Sequence, residues 1–243
     1  MKNEEVFAKY VGNFDFYDPK IKQKIDHSFR VKDLCEEIAK KENFTAKEIE
    51  IAKVIGLLHD IGRFEQWKQY KTYNDLTSVD HGDSAIELLF NNGFIKEFNI
   101  DKEYHDIVYD SIKYHNKKEL PGLGERKLRF AKLVRDADKL DILYIYSTND
   151  VNITEDLEIR ENLTEQFKNK ENLTYDNKLN ETEFLLLMLS FIFDINYQYT
   201  FKYLKENEFV DKMDERIKNK EKFGIYFRII KEYINERLEE YAE

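Results

Sequence analysis

Apolar residues recur at intervals of three and four along most of the chain, which is the spacing of one helix face. The first clear example follows Asp18 and Pro19, an N-cap residue and a first-turn proline, and it predicts a helix to about Lys41. On this helix, His27 shares an apolar stripe with the aliphatic residues Val31, Leu34 and Ile38. We therefore expect His27 to point into the protein, with Arg30 one turn further on and near the same face.

The next predicted helix begins at a capping box, Thr45 with Glu48, and its apolar run from Val54 leads directly into His59 and Asp60. Neighbouring residues on a helix point about 100° apart, so these two side chains converge only if the helix ends at the pair. An imidazole and a carboxylate together at a buried helix end suit a divalent metal ion, whose charge offsets the desolvation of the carboxylate.

Two further histidines lie at the ends of later predicted helices. The stretch from Asp80 to Ala85 begins a helix that has His81 in its first turn, and His115 lies at the end of a helix that starts near Asp101. A histidine in the first turn of a helix suits the local dipole only while it is neutral, which is the form that a metal ligand needs.

A helix predicted from Glu125 to Ser147 is apolar on all sides, which indicates a central, buried position. Its carboxylates therefore need partners. Asp136 and Asp138 lie about 200° apart on this helix, so both cannot reach the same ion. The periodicity alone does not choose between them.

The remaining chain also predicts helices. Residues 150–180 are rich in Asn, Glu and Thr and indicate short helices or an irregular segment, and two long helices are predicted from Glu181 to Asn207 and from Glu221 to Tyr241. We find no internal repeat and no linker that would separate a second domain. The sequence predicts a single all-α domain over residues 1–243.

Composition narrows the class of protein. Eight glycines and two prolines leave few turn breakers, which favours long helices over a many-stranded sheet. A net charge of −10 disfavours nucleic acid and anionic membrane surfaces as partners. Cys35 is the only cysteine, and the N-terminus has no signal-peptide pattern, so a cytoplasmic location is expected.

The order of these residues resembles a known family. His27, the His59-Asp60-Ile61-Gly62 stretch, His81, His115 and the Ala137-Asp138-Lys139-Leu140 stretch resemble the ordered motifs of HD-domain (HDIG-type) metal-dependent phosphohydrolases. The resemblance covers about residues 20–150. It implies an HD-type helical bundle as the metal-binding core, with about residues 151–243 as a C-terminal helical extension.

The resemblance implies roles for individual residues. Metal ligands would be His27, His59, Asp60 and Asp138, with Asp136 as the alternative to Asp138. His81 and His115 would bind a second metal ion or the substrate phosphate. Besides Asp60, the catalytic or phosphate-binding candidates are Arg30, Arg63 and Lys139. Mixed imidazole and carboxylate ligands suit Mn, Fe, Co, Ni or Zn, and Mg less well, with one or two ions bound.

The implied function is hydrolysis of a phosphate monoester or anhydride of a small molecule, with a nucleotide as the favoured substrate, by metal-activated water. The chain lacks the Gly-Tyr-Pro motif of a two-metal subfamily, so a cyclic dinucleotide phosphodiesterase is disfavoured. The alternative is a non-catalytic nucleotide-binding regulatory module of the same fold. The C-terminal helices leave room for a homodimer interface.

Overall fold

The computed structural model describes residues 2–148, 157–174 and 176–240. Every regular element in these ranges is a helix and none is a strand, so the predicted all-α class is confirmed. The chain divides into two compact units, Met1–Asp138 and Lys139–Glu243. The single domain with a core of about 20–150 stays a prediction. Among the described helices, none combines the length and the apolarity that crossing a bilayer requires.

The first unit contains seven α-helices in its described part, the last of which continues into the second unit. They are α1 (Asn3–Val11), α2 (Pro19–Lys41), α3 (Ala46–Leu58), α4 (Gly62–Tyr70), α5 (His81–Ile86), α6 (His105–Tyr114) and α7 (Glu125–Thr148). A π-helical turn, Glu87–Asn91, continues α5, and short 3₁₀ turns span Phe94–Glu97 and Lys102–Tyr104.

The predicted starts of α2 and α3 are confirmed at the level of hydrogen bonds. The Asp18 carboxylate accepts from the backbone N–H of Lys20 at 2.9 Å, with Pro19 in the first turn. Thr45 accepts from the backbone N–H of Glu48, whose carboxylate accepts from the backbone N–H of Thr45 at 3.0 Å. Each cap satisfies N–H groups that have no partner inside the helix, so these local sequences determine where the helices begin.

Close packing between α2 and α3 depends on Gly56. A Cβ atom at this position would lie 2.8 Å from Cys35 Sγ and 2.9 Å from both Lys32 Cα and the Val31 carbonyl oxygen. Only a residue without a side chain allows the two backbones to approach so closely. His27 on α2 and the end of α3 are thereby brought together.

The second unit contains the end of α7 and five further α-helices within its described residues. They are α8 (Glu161–Lys168), α9 (Glu181–Ser190), α10 (Gln198–Glu206), α11 (Phe209–Arg216) and α12 (Lys220–Glu240). A 3₁₀ turn, Phe191–Asp194, follows α9. Its largest fully buried side chains are four phenylalanines, Phe167, Phe201, Phe223 and Phe227.

The prediction of one helix from Glu181 to Asn207 was wrong, because the helical conformation is interrupted between α9 and α10. Ile195 and Tyr197 have extended backbone conformations, and the Asn196 side chain donates to the Asp194 carbonyl oxygen at 2.9 Å. Asparagine side chains compete in this way for carbonyl groups that a continuous helix would use. The final helix agrees with its prediction up to Glu240, and Tyr241 lies outside the described residues.

Candidate metal centre

The turn between α3 and α4 presents His59 and Asp60 on the same side. Helix α3 ends at Leu58 and α4 begins at Gly62, so the adjacent pair lies in the turn between the two helices. Gly62 allows α5 to approach this turn closely, since a Cβ atom there would clash with the His81 carbonyl oxygen and lie 2.8 Å from the Ala85 nitrogen. The start of α5 is therefore held directly against this turn.

A first group of ligand atoms surrounds Asp60 Oδ2. His27 Nε2 lies 3.4 Å and His59 Nε2 lies 3.7 Å from this oxygen. The two Nε2 atoms are 3.1 Å apart. Asp138 Oδ1 lies 3.2 Å from His27 Nε2 and 3.7 Å from His59 Nε2. His27, His59 and Asp138 offer ligand atoms close enough together to hold one metal ion.

A second group faces the other oxygen of the same carboxylate. His81 Nε2 lies 3.3 Å and His115 Nε2 lies 3.6 Å from Asp60 Oδ1, and the two Nε2 atoms are 2.9 Å apart. His59, Asp60 and His115 also form a set that could hold an ion. Asp60 therefore lies between two histidine pairs, with one oxygen directed at each.

Hydrogen bonds at the far side of the rings orient three of these histidines. The Nδ1 atoms of His59 and His115 lie 2.7 Å from the carbonyl oxygens of Gly56 and Ile112, respectively. His81 Nδ1 lies 2.6 Å from Asp75 Oδ2. These oxygens only accept, so we assign the ring proton to Nδ1 and a lone pair to Nε2 in each ring. Metal-binding histidines have the same arrangement.

Electrostatics within the group favour charged carboxylates at Asp60 and Asp138 and neutral imidazoles at His59 and His81. Burial lowers the pKa of His59, and burial together with the Arg63 charge lowers that of His81 to about 4. Burial opposes ionisation of Asp60, but the charge of the Lys24 ammonium outweighs it and holds the pKa of this carboxyl well below its usual range. A hydrogen bond from His27 Nε2, which lies 3.2 Å from Asp138 Oδ1, overcomes burial in the same way and lowers the pKa of Asp138.

This donor set fits a divalent cation. His81 and His115 direct Nε2 lone pairs at each other across 2.9 Å, which is unfavourable unless a cation is bound by both nitrogens. Two carboxylates supply the negative charge that a divalent ion requires. Nitrogen and oxygen ligands of this kind suit Mn, Fe, Co, Ni or Zn. The residues present could therefore hold a divalent metal, as the sequence implied.

Asp136, the predicted alternative ligand, belongs to neither ligand group in the described part of the chain. Its side chain is fully buried and is engaged by other residues. Asp138 lies two residues further along α7, about 200° around the helix axis, which explains why only one of the two reaches the histidines.

The three predicted phosphate-binding cations have different surroundings. Arg63 is mostly buried, with Nη1 donating to Gln66 Oε1, to the Tyr73 carbonyl oxygen and to Asp75 Oδ1, while its Nε lies 3.6 Å from Asp60 Oδ1. Arg30 is half-buried on α2. Lys139 belongs to the second unit, where its Nζ lies 2.8 Å from Asp194 Oδ2.

Sequence reasoning missed three residues that contact the group. Lys24 Nζ lies 2.6 Å from Asp60 Oδ2, Asp75 accepts from His81 and Arg63, and the Asn116 side chain donates to Asp75 at 3.2 Å. The position of Lys24, three residues before His27, was a signal for a shared helix face. Asp75 lies in the loop between α4 and α5, and no motif in that polar stretch distinguished this residue from its neighbours.

Comparison with protein families agrees with this geometry. The family model of the HD domain matches residues 25–143, a segment that contains both ligand groups. Comparisons with curated proteins and with solved structures find no match. The ligand order and the all-α fold agree with the resemblance seen in the sequence. Residues 25–143 thus match the HD domain, the domain of the metal-dependent phosphohydrolases that the sequence resembles.

Proposed function

We propose that the protein is a metal-dependent phosphohydrolase that cleaves a phosphate monoester or anhydride of a small molecule, with a nucleotide as the favoured substrate. The observation that carries this proposal is the position of Asp60, whose two oxygens each face a pair of histidine Nε2 atoms. One divalent ion would be held by His27, His59, Asp60 and Asp138. A second would be held by His81, His115 and the other oxygen of Asp60.

A divalent ion bound at such a site acidifies water and polarises a phosphoryl group. The protein's own residues contribute orientation and charge. The Nδ1 hydrogen bonds of His59, His81 and His115 fix the direction of each Nε2. Burial of all four rings keeps bulk water away, which strengthens the electrostatic interactions of the site.

Arg63 is suited to bind the phosphate oxygens on which negative charge accumulates. Its Nη1 atom is fixed by three acceptors, and its Nε lies near Asp60. The described residues provide no hydrogen-bond partner for Nη2, so this nitrogen remains available to an anion. A guanidinium held in one orientation loses little entropy when it binds phosphate. Arg30 and Lys139 stay candidates for the same role on the sequence argument.

The net charge of −10 favours a small substrate over a polyanion. A metal ion and a few cations provide local attraction for one phosphate group, whereas a long nucleic acid would meet the field of the whole molecule. We therefore expect activity on nucleoside mono-, di- or triphosphates or on related small phosphate esters.

The test is a substrate screen with the full chain, loaded in turn with Mn, Co, Ni or Mg. Wild-type protein should release phosphate from at least one nucleotide. Asp60→Asn, which keeps the shape of the side chain but removes its charge, should lower kcat at least about 100-fold. Asp26→Asn is the matched control, because Asp26 is an exposed carboxylate immediately before His27.

Two outcomes would decide against hydrolysis. Equal phosphate release by wild type and Asp60→Asn would mean that the activity comes from elsewhere. Nucleotide binding by the metal-loaded protein without turnover of any substrate would support the regulatory module instead.

A further inference from the structure

Lys24 contacts a proposed metal ligand, but the proposed metal chemistry gives this lysine no role. Its Nζ lies 2.6 Å from Asp60 Oδ2, and its side chain is only 19% exposed. The one other contact of this ammonium in the described part of the chain is with the ring of Tyr73, whose centroid lies 5.4 Å away. Among the described residues, Lys24 therefore has one charged partner, Asp60, which is the proposed ligand of both ions.

Lys24 and a metal ion would compete for the same oxygen. Asp60 Oδ2 is the atom that His27 Nε2 and His59 Nε2 approach to 3.4 and 3.7 Å. An ion held by those three residues would draw negative charge from the carboxylate and would repel the nearby ammonium. Filling this position would therefore weaken the one ion pair that Lys24 makes with the described residues.

The charge balance of the site changes sign when it is filled. Without an ion, the carboxylates of Asp60 and Asp138 carry two negative charges and Lys24 supplies one positive charge, while the charges of Arg63 and Asp75 offset each other. One divalent ion neutralises both carboxylates, so the Lys24 charge becomes an excess. An excess positive charge in a largely buried site attracts an anion, and phosphate is the anion that the proposed substrate presents.

The ring of Tyr73 lies beside both Lys24 and Arg63. Its hydroxyl donates to the Lys20 carbonyl oxygen at 2.9 Å, which ties the loop after α4 to the start of α2. The Arg63 guanidinium carbon lies 5.7 Å from the centre of the same ring. Lys24 and Arg63 thus border one aromatic ring beside Asp60, and the long lysine stem allows its ammonium to move along that ring.

We propose that Lys24 is a phosphate-binding residue that becomes available only when the metal ion displaces it from Asp60. This inference rests on the proposed metal site and adds a substrate-binding role that depends on the ion. In the metal-free protein, Lys24 acts as the counter-ion of Asp60. In the loaded protein, it binds an oxygen of the substrate phosphate opposite Arg63, so substrate binds poorly until the ion is present.

The experiment measures two affinities of the full chain by isothermal titration calorimetry. Mn²⁺ is titrated into metal-stripped protein, and inorganic phosphate is titrated into Mn²⁺-loaded protein. Lys24→Met should bind Mn²⁺ about 5- to 10-fold more tightly, because a competing cation is gone. The same variant should bind phosphate at least about 10-fold more weakly. A purely structural defect would weaken both, so the opposite signs identify the role.

Matched variants complete the test. Lys20→Met removes the same charge from an exposed position one turn earlier on α2, and both affinities should stay within about 2-fold of wild type. Lys24→Arg keeps the charge and should restore phosphate binding, and Lys24→Gln replaces the methionine variant if that protein does not fold. Unchanged or weaker Mn²⁺ binding by Lys24→Met, or unchanged phosphate binding, would overturn the proposal for Lys24. A wild-type protein that binds no Mn²⁺ would overturn the proposed function itself.

Discussion

One carboxylate in this protein faces two groups of nitrogen ligands, and that position depends on the residue before it. Helix α3 ends at Leu58, and His59 then belongs to the first ligand group. The next residue, Asp60, directs one carboxylate oxygen at each of the two groups. A buried carboxylate is costly unless a cation compensates its charge. Lys24 Nζ at 2.6 Å and Arg63 Nε at 3.6 Å supply such charge to Asp60, but they leave the histidine lone pairs without a cation. A divalent metal ion would compensate the carboxylate and bind those lone pairs.

Asp75 accepts hydrogen bonds from His81 Nδ1 and from Arg63, so it orients a proposed metal ligand. Asp75→Asn should lower the affinity for the ion at His81 and His115 by about 10- to 100-fold, because partners that orient a ligand ring contribute this much to metal affinity. The ion at His27 and His59 does not depend on Asp75. The stoichiometry of bound Mn²⁺, measured by equilibrium dialysis, should therefore fall from two towards one.

A nearby carboxylate provides the control for Asp75. Asp80 caps α5 and accepts from the Asp83 backbone N–H, a role that asparagine also performs well. Asp80→Asn should therefore retain two ions. If Asp75→Asn also bound two ions with wild-type affinity, orientation by the loop between α4 and α5 would be unimportant for metal binding.

Sequence reasoning identified residues that local patterns mark, and it missed residues whose contacts join elements far apart in the sequence. His59 with Asp60 was predicted because a local apolar run ends at the pair. Asp138 was preferred to Asp136 only through the family resemblance, because helical periodicity placed aliphatic residues beside both. Asp75 and Lys24 reach the site through contacts between elements distant in sequence, and no local pattern encodes such contacts.

At the scale of elements, the proposed ligands lie mostly at helix ends. His59 follows α3, His81 begins α5 and His115 follows α6, whereas His27 and Asp138 project from the interiors of α2 and α7. Caps and apolar periodicity predicted these elements well, since both signals are local. The break between α9 and α10 was missed because Asn196 interrupts a strongly apolar stretch through one side-chain hydrogen bond.

The element-scale prediction concerns the approach of α2 to α3. Gly56→Ala should destabilise the first unit by about 1–3 kcal/mol, the usual cost of overpacking, even though alanine is the better helix former. The new methyl group would lie 2.9 Å from backbone atoms of α2, which cannot rotate away as a side chain can. Chemical denaturation followed by circular dichroism measures the change.

A second helical glycine gives the opposite expectation and serves as the control. Gly224 lies in α12, and a Cβ atom there would meet nothing within 4 Å. Gly224→Ala should stabilise the protein by about 0.5–1 kcal/mol, because it removes backbone freedom from the unfolded chain without a clash. A loss of stability at Gly224, or a gain at Gly56, would show that the packing differs from the structure described here.

On the scale of the whole molecule, the proposed ligands come from distant parts of the first unit. His27 and Asp138 are more than one hundred positions apart in sequence, yet their ligand atoms lie 3.2 Å apart. The family resemblance predicted this convergence through the order of the motifs, and composition predicted only the all-α class. An ion that joins these segments binds the folded chain and has no comparable site in the unfolded chain. Metal binding is therefore expected to contribute directly to folding stability.

Removal of metal should lower the melting temperature of the transition that unfolds Met1–Asp138. An ion present at 100 times its dissociation constant stabilises the folded state by about 2.7 kcal/mol, which corresponds to roughly 5–10 °C for a chain of this size. Differential scanning calorimetry of Mn²⁺-loaded and chelator-treated protein measures the shift. Asp60→Asn is the control, because it removes a ligand of both proposed ions, and its melting temperature should respond little to the chelator. A wild-type transition that is equally insensitive would contradict the convergence of these helices on a metal ion.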